Sequence, residues 1–507
     1  MFCVKCGNEI PERSVFCPIC GKELEADQKA CPYCEEQLQT SAPSILTKNS
    51  ETGNTSLSAV DYVKRGDAYC TKGDYDRAIR DYNKAIQLDP SYAIAYGNYG
   101  VVYYTKGDYD RAIRDYNKAI RLDPSYARAY KNRGDAYDTK GDYDRAIADY
   151  NEAVQLAPSY AIAYNNRGVA YYKKGIYDRA IQDCSKAIWL DPSYARAYGN
   201  RGVVYYNKGD YDWAIADYNE AIRLDPNNAI AYKNRGDAYY NKGDCERAMA
   251  DYNEAIQLDP NNAIAYKFRG DAYYNKGDYD SAIADYNEAI QLDPNNAIAY
   301  KNRGVVYYNK GDYDSAIADY NEAIRLDPSY AIAYNLRGIA YYNKGDYDRA
   351  MADYNKAIRL DPSYAIAYNL RGIAYYNKGD YDSAIADYNE AIRLDPNNAI
   401  VYGNRGVAYY NKGDYDSAIA DYNEAIQLDP NNANVYGNRG VAYYNKGDYD
   451  SAIADYNEAI RLDPNNANVY GNRSVVDYKK GKIMSGLSKI WKRLFNWPQI
   501  SNSPKTS

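Results

Sequence analysis

Between Ala297 and Tyr330 the apolar residues fall into two short runs with helical spacing. Ile298, Tyr300, Val305, Tyr307 and Tyr308 make the first face, which stops at Lys310-Gly311. Tyr313, Ala316, Ile317, Tyr320, Ala323 and Ile324 make the second, which stops at Asp327-Pro328. The punctuation agrees with two helices: glycine can take the left-handed conformation that closes the first. Asp312 then offers a carboxylate to the amides opening the second, and proline turns its predecessor away from helix. The stretch predicts a helical hairpin.

The hairpin recurs. Its final proline appears at Pro90, Pro124, Pro158, Pro192, Pro226, Pro260, Pro294, Pro328, Pro362, Pro396, Pro430 and Pro464, an unbroken 34-residue period, which is the mark of a solenoid. Helices this short are marginal alone in water, so stability must come from stacking hairpin on hairpin. Small residues at Gly304, Ala316 and Ala323 stand where two backbones must come close.

The pattern closely resembles the tetratricopeptide repeat (TPR). Tyr300, Gly304, Tyr307, Ala316, Tyr320, Ala323 and Pro328 fall on its signature positions, with Tyr300 in place of the family's tryptophan and Arg303 in place of its leucine. The resemblance covers twelve repeats over 59–466, a degenerate thirteenth repeat or capping helices over 467–498, and a tail, 499–507, expected to be disordered. It implies an all-α fold: a right-handed superhelical TPR solenoid whose first helices line the concave surface. The arginine departure has a candidate partner, because arginine precedes the glycine in nearly every repeat (Tyr99 is the exception) and an aspartate follows sixteen residues later. A ladder of partly buried Arg–Asp pairs is expected.

On the implied inner wall lie Ile298, Asn302, Val305, Tyr308 and Asn309 and their equivalents. The asparagine ladder includes Asn98, Asn132, Asn166, Asn200, Asn234, Asn302, Asn404 and Asn438, interrupted by Phe268, Leu336 and Leu370; the tyrosine ladder includes Tyr172, Tyr206, Tyr240, Tyr274, Tyr308 and Tyr342. Asparagine carries both a donor and an acceptor and so matches an extended backbone, while tyrosine supplies flat apolar area. The ladder resembles the one lining the superhelix of O-GlcNAc transferase, which implies peptide or protein partners. The carboxylate clamp of chaperone adaptors is not expected, because its asparagine place holds Asp67, Val101, Asp135, Val169 or Val305 and never asparagine.

Ahead of the repeats, Cys3-x-x-Cys6 and Cys17-x-x-Cys20 lie ten residues apart, each pair followed by glycine. Four thiolates so spaced can close a tetrahedral structural zinc site, and the stretch resembles small bacterial zinc ribbons of β type, placed at 1–38. Cys31 and Cys34 form a third pair lacking the glycine, a possible second half-site or a remnant. Residues 39–58, rich in Ser, Thr and Asn, read as a flexible linker.

Composition narrows the function. The chain has no histidine, which removes Ser-His and Cys-His catalysis. Its net charge of −7 argues against nucleic acid, leaving Lys5, Arg13 and Lys22 of the ribbon as the sequence basis for that alternative. The N-terminus has no signal-peptide shape, so a cytoplasmic location is expected. The end of the chain is basic and aromatic (Lys479, Lys480, Lys482, Lys489, Trp491, Lys492, Arg493, Trp497): it reads first as a cap in register with the repeats, and alternatively as a helix lying on an anionic membrane surface. The expectation is a non-enzymatic scaffold for protein partners.

Overall fold

The computed structural model describes residues 57–494, with side chains through Gly481. The ribbon, most of the linker and the tail lie outside the described residues. Among the described residues there are 25 helices and no strand. The chain divides into two compact units at Asp108 and Tyr109. The smaller contains the described helices Ala59–Thr71, Tyr75–Leu88 and Ala93–Thr105; the larger begins at helix Tyr109–Leu122 and is a run of stacked hairpins.

The hairpin at the centre of the sequence argument consists of helices Ala297–Asn309 and Tyr313–Leu326. Gly311 has φ +80°, the left-handed turn that a side chain would strain. An Asp312 carboxylate oxygen accepts from the Ser315 amide at 3.1 Å and caps the second helix. Beyond that helix Asp327 is extended, and its carboxylate accepts from the Ser329 amide and hydroxyl at 2.9 and 2.5 Å, fixing the turn into the next repeat.

The buried face of the first helix differs from the expected one. Ala299, Gly304 and Val306 are buried, whereas Ile298 is 50% exposed and Tyr300, Val305, Tyr307 and Tyr308 are half-buried. The reason is the close approach of the two helices: the small residues of the first helix face the second and its Tyr320 ring, and the large ones of the first helix flank the contact. A Cβ built on Gly304 would lie 2.7 Å from Cε1 of Tyr320, the largest fully buried residue of the hairpin. On the second helix Ala316, Ile317, Tyr320 and Ala323 are buried as expected, and Tyr313 and Ile324 are half-buried. Ala340 of the next repeat completes that core, so each hairpin is finished by its successor.

The three isolated cysteines divide by burial. Cys184 replaces the core tyrosine and is fully buried against Gly168, where a built Cβ would meet Sγ at 2.9 Å; Cys70 and Cys245 are half-buried.

The end of the solenoid departs from the degenerate thirteenth repeat or capping helices expected over 467–498. Gly481 does not close a helix: Ala467–Leu494 is one continuous helix of 28 residues. In the repeats the turn glycine is usually followed by an aspartate that opens the next helix, but Gly481 is followed by Lys482.

Candidate functional site

Within the larger unit, successive first helices touch one another and successive second helices do not. The first helices therefore form the inner side of the stack, and their outward residues form a continuous wall. Ile230, Ile264, Ile298, Ile332, Ile366 and Ile400 recur on it in six successive repeats and are 46–67% exposed. Exposed aliphatic side chains in such a row are uncommon on a surface with no partner.

The predicted Arg–Asp ladder is present and holds this wall to the second helices. Arg303 donates to both carboxylate oxygens of Asp319, from Nε at 2.8 Å and Nη2 at 2.6 Å. The same fork recurs from Arg133–Asp149 to Arg439–Asp455, and Arg65–Asp81 has it in the smaller unit. With the Arg303 side chain 18% and the Asp319 side chain 7% exposed, the pair is largely buried. Burial pushes the Asp319 carboxyl up, and the Arg303 hydrogen bonds pull it back only in part. From Arg133 to Arg439 the arginines also reach backward: Nη1 of Arg303 donates to Oδ1 of Asn287 in the preceding repeat at 2.5 Å. The guanidinium lies 5.6 Å from the Tyr300 ring centroid, so the two departures from the family pattern meet each other.

The asparagine ladder has a structural task that sequence spacing did not reveal. Its residues are half-buried except Asn438, which is exposed. Five of the amides donate to the preceding repeat: Asn98 to Asp67 (2.8 Å), Asn166 to Asp135 (2.9 Å), Asn200 to Asn165 (2.9 Å), Asn302 to Asp271 (2.8 Å) and Asn404 to Asn369 (3.1 Å). Asn132 instead accepts from Lys131, at 3.3 Å. The interruptions obey the same geometry. Phe268 stacks on Tyr252 of the repeat before it, and Leu336 and Leu370 pack into the preceding cores. This position faces backward along the stack, and its amide donors are already engaged in five repeats.

The tyrosine ladder stands at the turn end of the wall. Tyr308 packs on Tyr313 across the hairpin, with ring centroids 5.4 Å apart, and its hydroxyl accepts from the amide of Asn343 in the next repeat at 2.7 Å. Tyr172, Tyr206, Tyr240, Tyr274 and Tyr342 likewise accept from Asn207, Asn241, Asn275, Asn309 and Asn377. A further row joins repeats at the turns, where Lys310 reaches Asp280 at 2.5 Å and Lys412 reaches Asp382 at 2.5 Å. Both rows could have been found in the sequence, because donor and acceptor recur with the period at fixed offsets.

Among the described residues there is no cluster of metal-ligating side chains and no helix long and apolar enough to cross a membrane. Cys3, Cys6, Cys17, Cys20, Cys31 and Cys34 lie outside them.

A family described as TPR repeat matches residues 66–107, 100–140, 134–175, 236–269 and 270–311. Families described as tetratricopeptide repeat match 161–194, 195–228, 217–250, 301–365, 335–399, 369–433 and 404–467. A zinc-ribbon domain family matches residues 2–24. No curated protein matches the chain. Similar solved structures include the APC/C hetero-tetramer Cut9-Hcn1, 18% identical, covering 83% of this chain and 96% of that chain with a TM-score of 0.44. Yeast Tom70 is 18% identical, covering 84% and 96% with a TM-score of 0.39, and MamA is 32% identical, covering 32% and 94% with a TM-score of 0.30. Stacked helical hairpins with the signature glycine, alanine and proline positions, together with family matches across residues 66–467, establish that the chain belongs to the tetratricopeptide-repeat family.

Proposed function

We propose that the chain is a non-catalytic scaffold that binds extended segments of partner proteins along the wall of first helices. The observation that carries this reading is the row of exposed isoleucines recurring at each repeat from Ile230 to Ile400. A partner in extended form would cover apolar area on successive repeats without requiring them to move. The tyrosines offer rigid faces beside the row, and Asn234 and Asn438 supply amides on the same wall. The test is an array of extended peptides rich in leucine and isoleucine, probed with the full chain and with a variant carrying Ile230→Ser, Ile298→Ser and Ile366→Ser. Binding that falls about tenfold or more in the variant supports the reading; equal binding moves the site elsewhere.

The N-terminal module is proposed as a second contact, tethered by residues 39–58. Its donor set fits structural zinc: four cysteines in two Cys-x-x-Cys pairs suit tetrahedral thiolate coordination and leave no position open for a reacting water. Zinc would be held by Cys3, Cys6, Cys17 and Cys20, with Cys31 and Cys34 as a half-site. Such thiolates require a reducing compartment, which supports a cytoplasmic location. A second reading, peripheral membrane attachment, is favoured by the basic helix continuing to Leu494 past the last repeat. Co-sedimentation with anionic liposomes, retained by the full chain and lost on removal of 479–507, would establish it.

A further inference from the structure

The fifth residue of the repeat is a lysine four times in the larger unit, at Lys131, Lys233, Lys267 and Lys301. Three of these meet a carboxylate one turn later: Lys131 with Asp135 at 2.8 Å, Lys233 with Asp237 at 2.7 Å, and Lys267 with Asp271 at 3.1 Å. For Lys301 that place is taken by Val305. The carboxylate of the neighbouring repeat is already engaged: Oδ1 of Asp271 accepts from the Tyr286 hydroxyl at 2.6 Å and the Asn302 amide at 2.8 Å, and Oδ2 faces Lys267. Lys301 is thus half-buried on the wall, with no ion-pair partner among the described residues. Burial holds its ammonium below the ordinary lysine range; the Asp271 carboxylate opposes this only in part, and the charge of Lys267 adds to it.

An unpaired, partly desolvated cation raises the free energy of the unbound surface, and an incoming anion would relieve it. Apolar surface brackets the position: Ile298 is one turn earlier on the same helix, and Ile264 and Ile332 are 53% and 46% exposed on the adjacent first helices. We propose that Lys301 is an anion-recognition point in the groove, taking an aspartate or glutamate side chain of an extended peptide whose flanking residues are aliphatic. The proposal rests on the groove reading above. A single carboxylate is the matching charge, because Lys267 is already paired and one ammonium alone is left to neutralise.

Arrayed peptides with leucine and isoleucine flanks and a central Glu, Gln or phosphoserine test this on the full chain and on two variants, Lys301→Met and Val305→Asp. The second variant gives Lys301 the carboxylate that Lys233 and Lys267 already have, so the repeat retains a side chain its siblings accommodate. Wild type is expected to bind the Glu set about tenfold more tightly than the Gln set, with the preference lost in both variants. Equal binding of Glu and Gln by wild type, or a Glu preference unchanged in the variants, would overturn the anion point and leave the groove standing. Preference for phosphoserine over Glu would overturn the assignment to a carboxylate. Binding of none of the sets would defeat the groove reading, and this one with it.

Discussion

At the scale of single residues, the arginine replacing the family's leucine shows how one substitution is made tolerable by others at fixed offsets. Arg303 has Asp319 ahead of it, Asn287 behind it and the Tyr300 ring beside it. Arg303→Leu leaves Asp319 buried without its fork and is expected to destabilise that hairpin by about 3 kcal/mol; Arg303→Leu with Asp319→Leu should recover most of the loss. Hydrogen exchange of the 297–326 amides reads both, since loss of one repeat is local in such an array. A milder effect for the single than for the double substitution would refute the account. Cys184 gives a second test. Burial pushes its thiol up to about 12, so alkylation at mildly alkaline pH should modify Cys70 and Cys245 well before it. Because the folded value lies above the unfolded one, its contribution to stability is complete below about pH 8.5 and declines as pH rises towards the folded value, by about 1.4 kcal/mol per unit.

At the scale of the element, glycines in one helix type have opposite roles according to what lies across from them. Gly304 lies under the Tyr320 ring, with 2.7 Å between its absent Cβ and Cε1, and Gly304→Ala is expected to cost about 1–3 kcal/mol through overpacking. Gly403 lies in a first helix with open space around its absent Cβ, and Gly403→Ala should stabilise by about 0.5–1 kcal/mol. Thermal denaturation of the two variants checks the signs. The core tyrosines set the alkaline limit of the hairpin. Burial pushes the phenol of Tyr456 to about 12 and those of Tyr320 and Tyr388 higher still, so their contribution is present below the ordinary phenol value of about 10 and is lost above it. Phenolate absorbance of these residues should therefore appear together with the loss of helical circular dichroism and not before it.

At the scale of the molecule, order in the larger unit is carried from neighbour to neighbour: the core at Tyr320 is completed by Ala340, and rows of Arg–Asn, Asn–Tyr and Lys–Asp contacts cross between repeats. Removing repeats from the C-terminal end should lower the melting temperature step by step, with losses diminishing as the array lengthens. The N-terminal module should behave independently: purified chain is expected to carry one zinc ion, released by a thiol-modifying reagent without change in the helical signal of the repeats. A loss of helicity on zinc release would show that the two are coupled.

Periodicity, turn residues and the glycine and alanine positions were enough to predict the helix pairs up to Pro464 and the Arg–Asp ladder, because each is a local or fixed-offset relation written in every copy, but not the single helix that follows them. Periodicity alone did not show that Ala299 is the buried neighbour of Ile298, which the repeat resemblance had placed on the inner wall, since neighbouring positions on a short helix differ only by the angle at which the partner helix lies. Nor did it show that the asparagines of the wall hold the preceding repeat, or that Lys301 is left without a carboxylate. Those outcomes depend on how one repeat seats on the next, and stacking decides which polar groups find a partner inside the protein and which are left for a ligand.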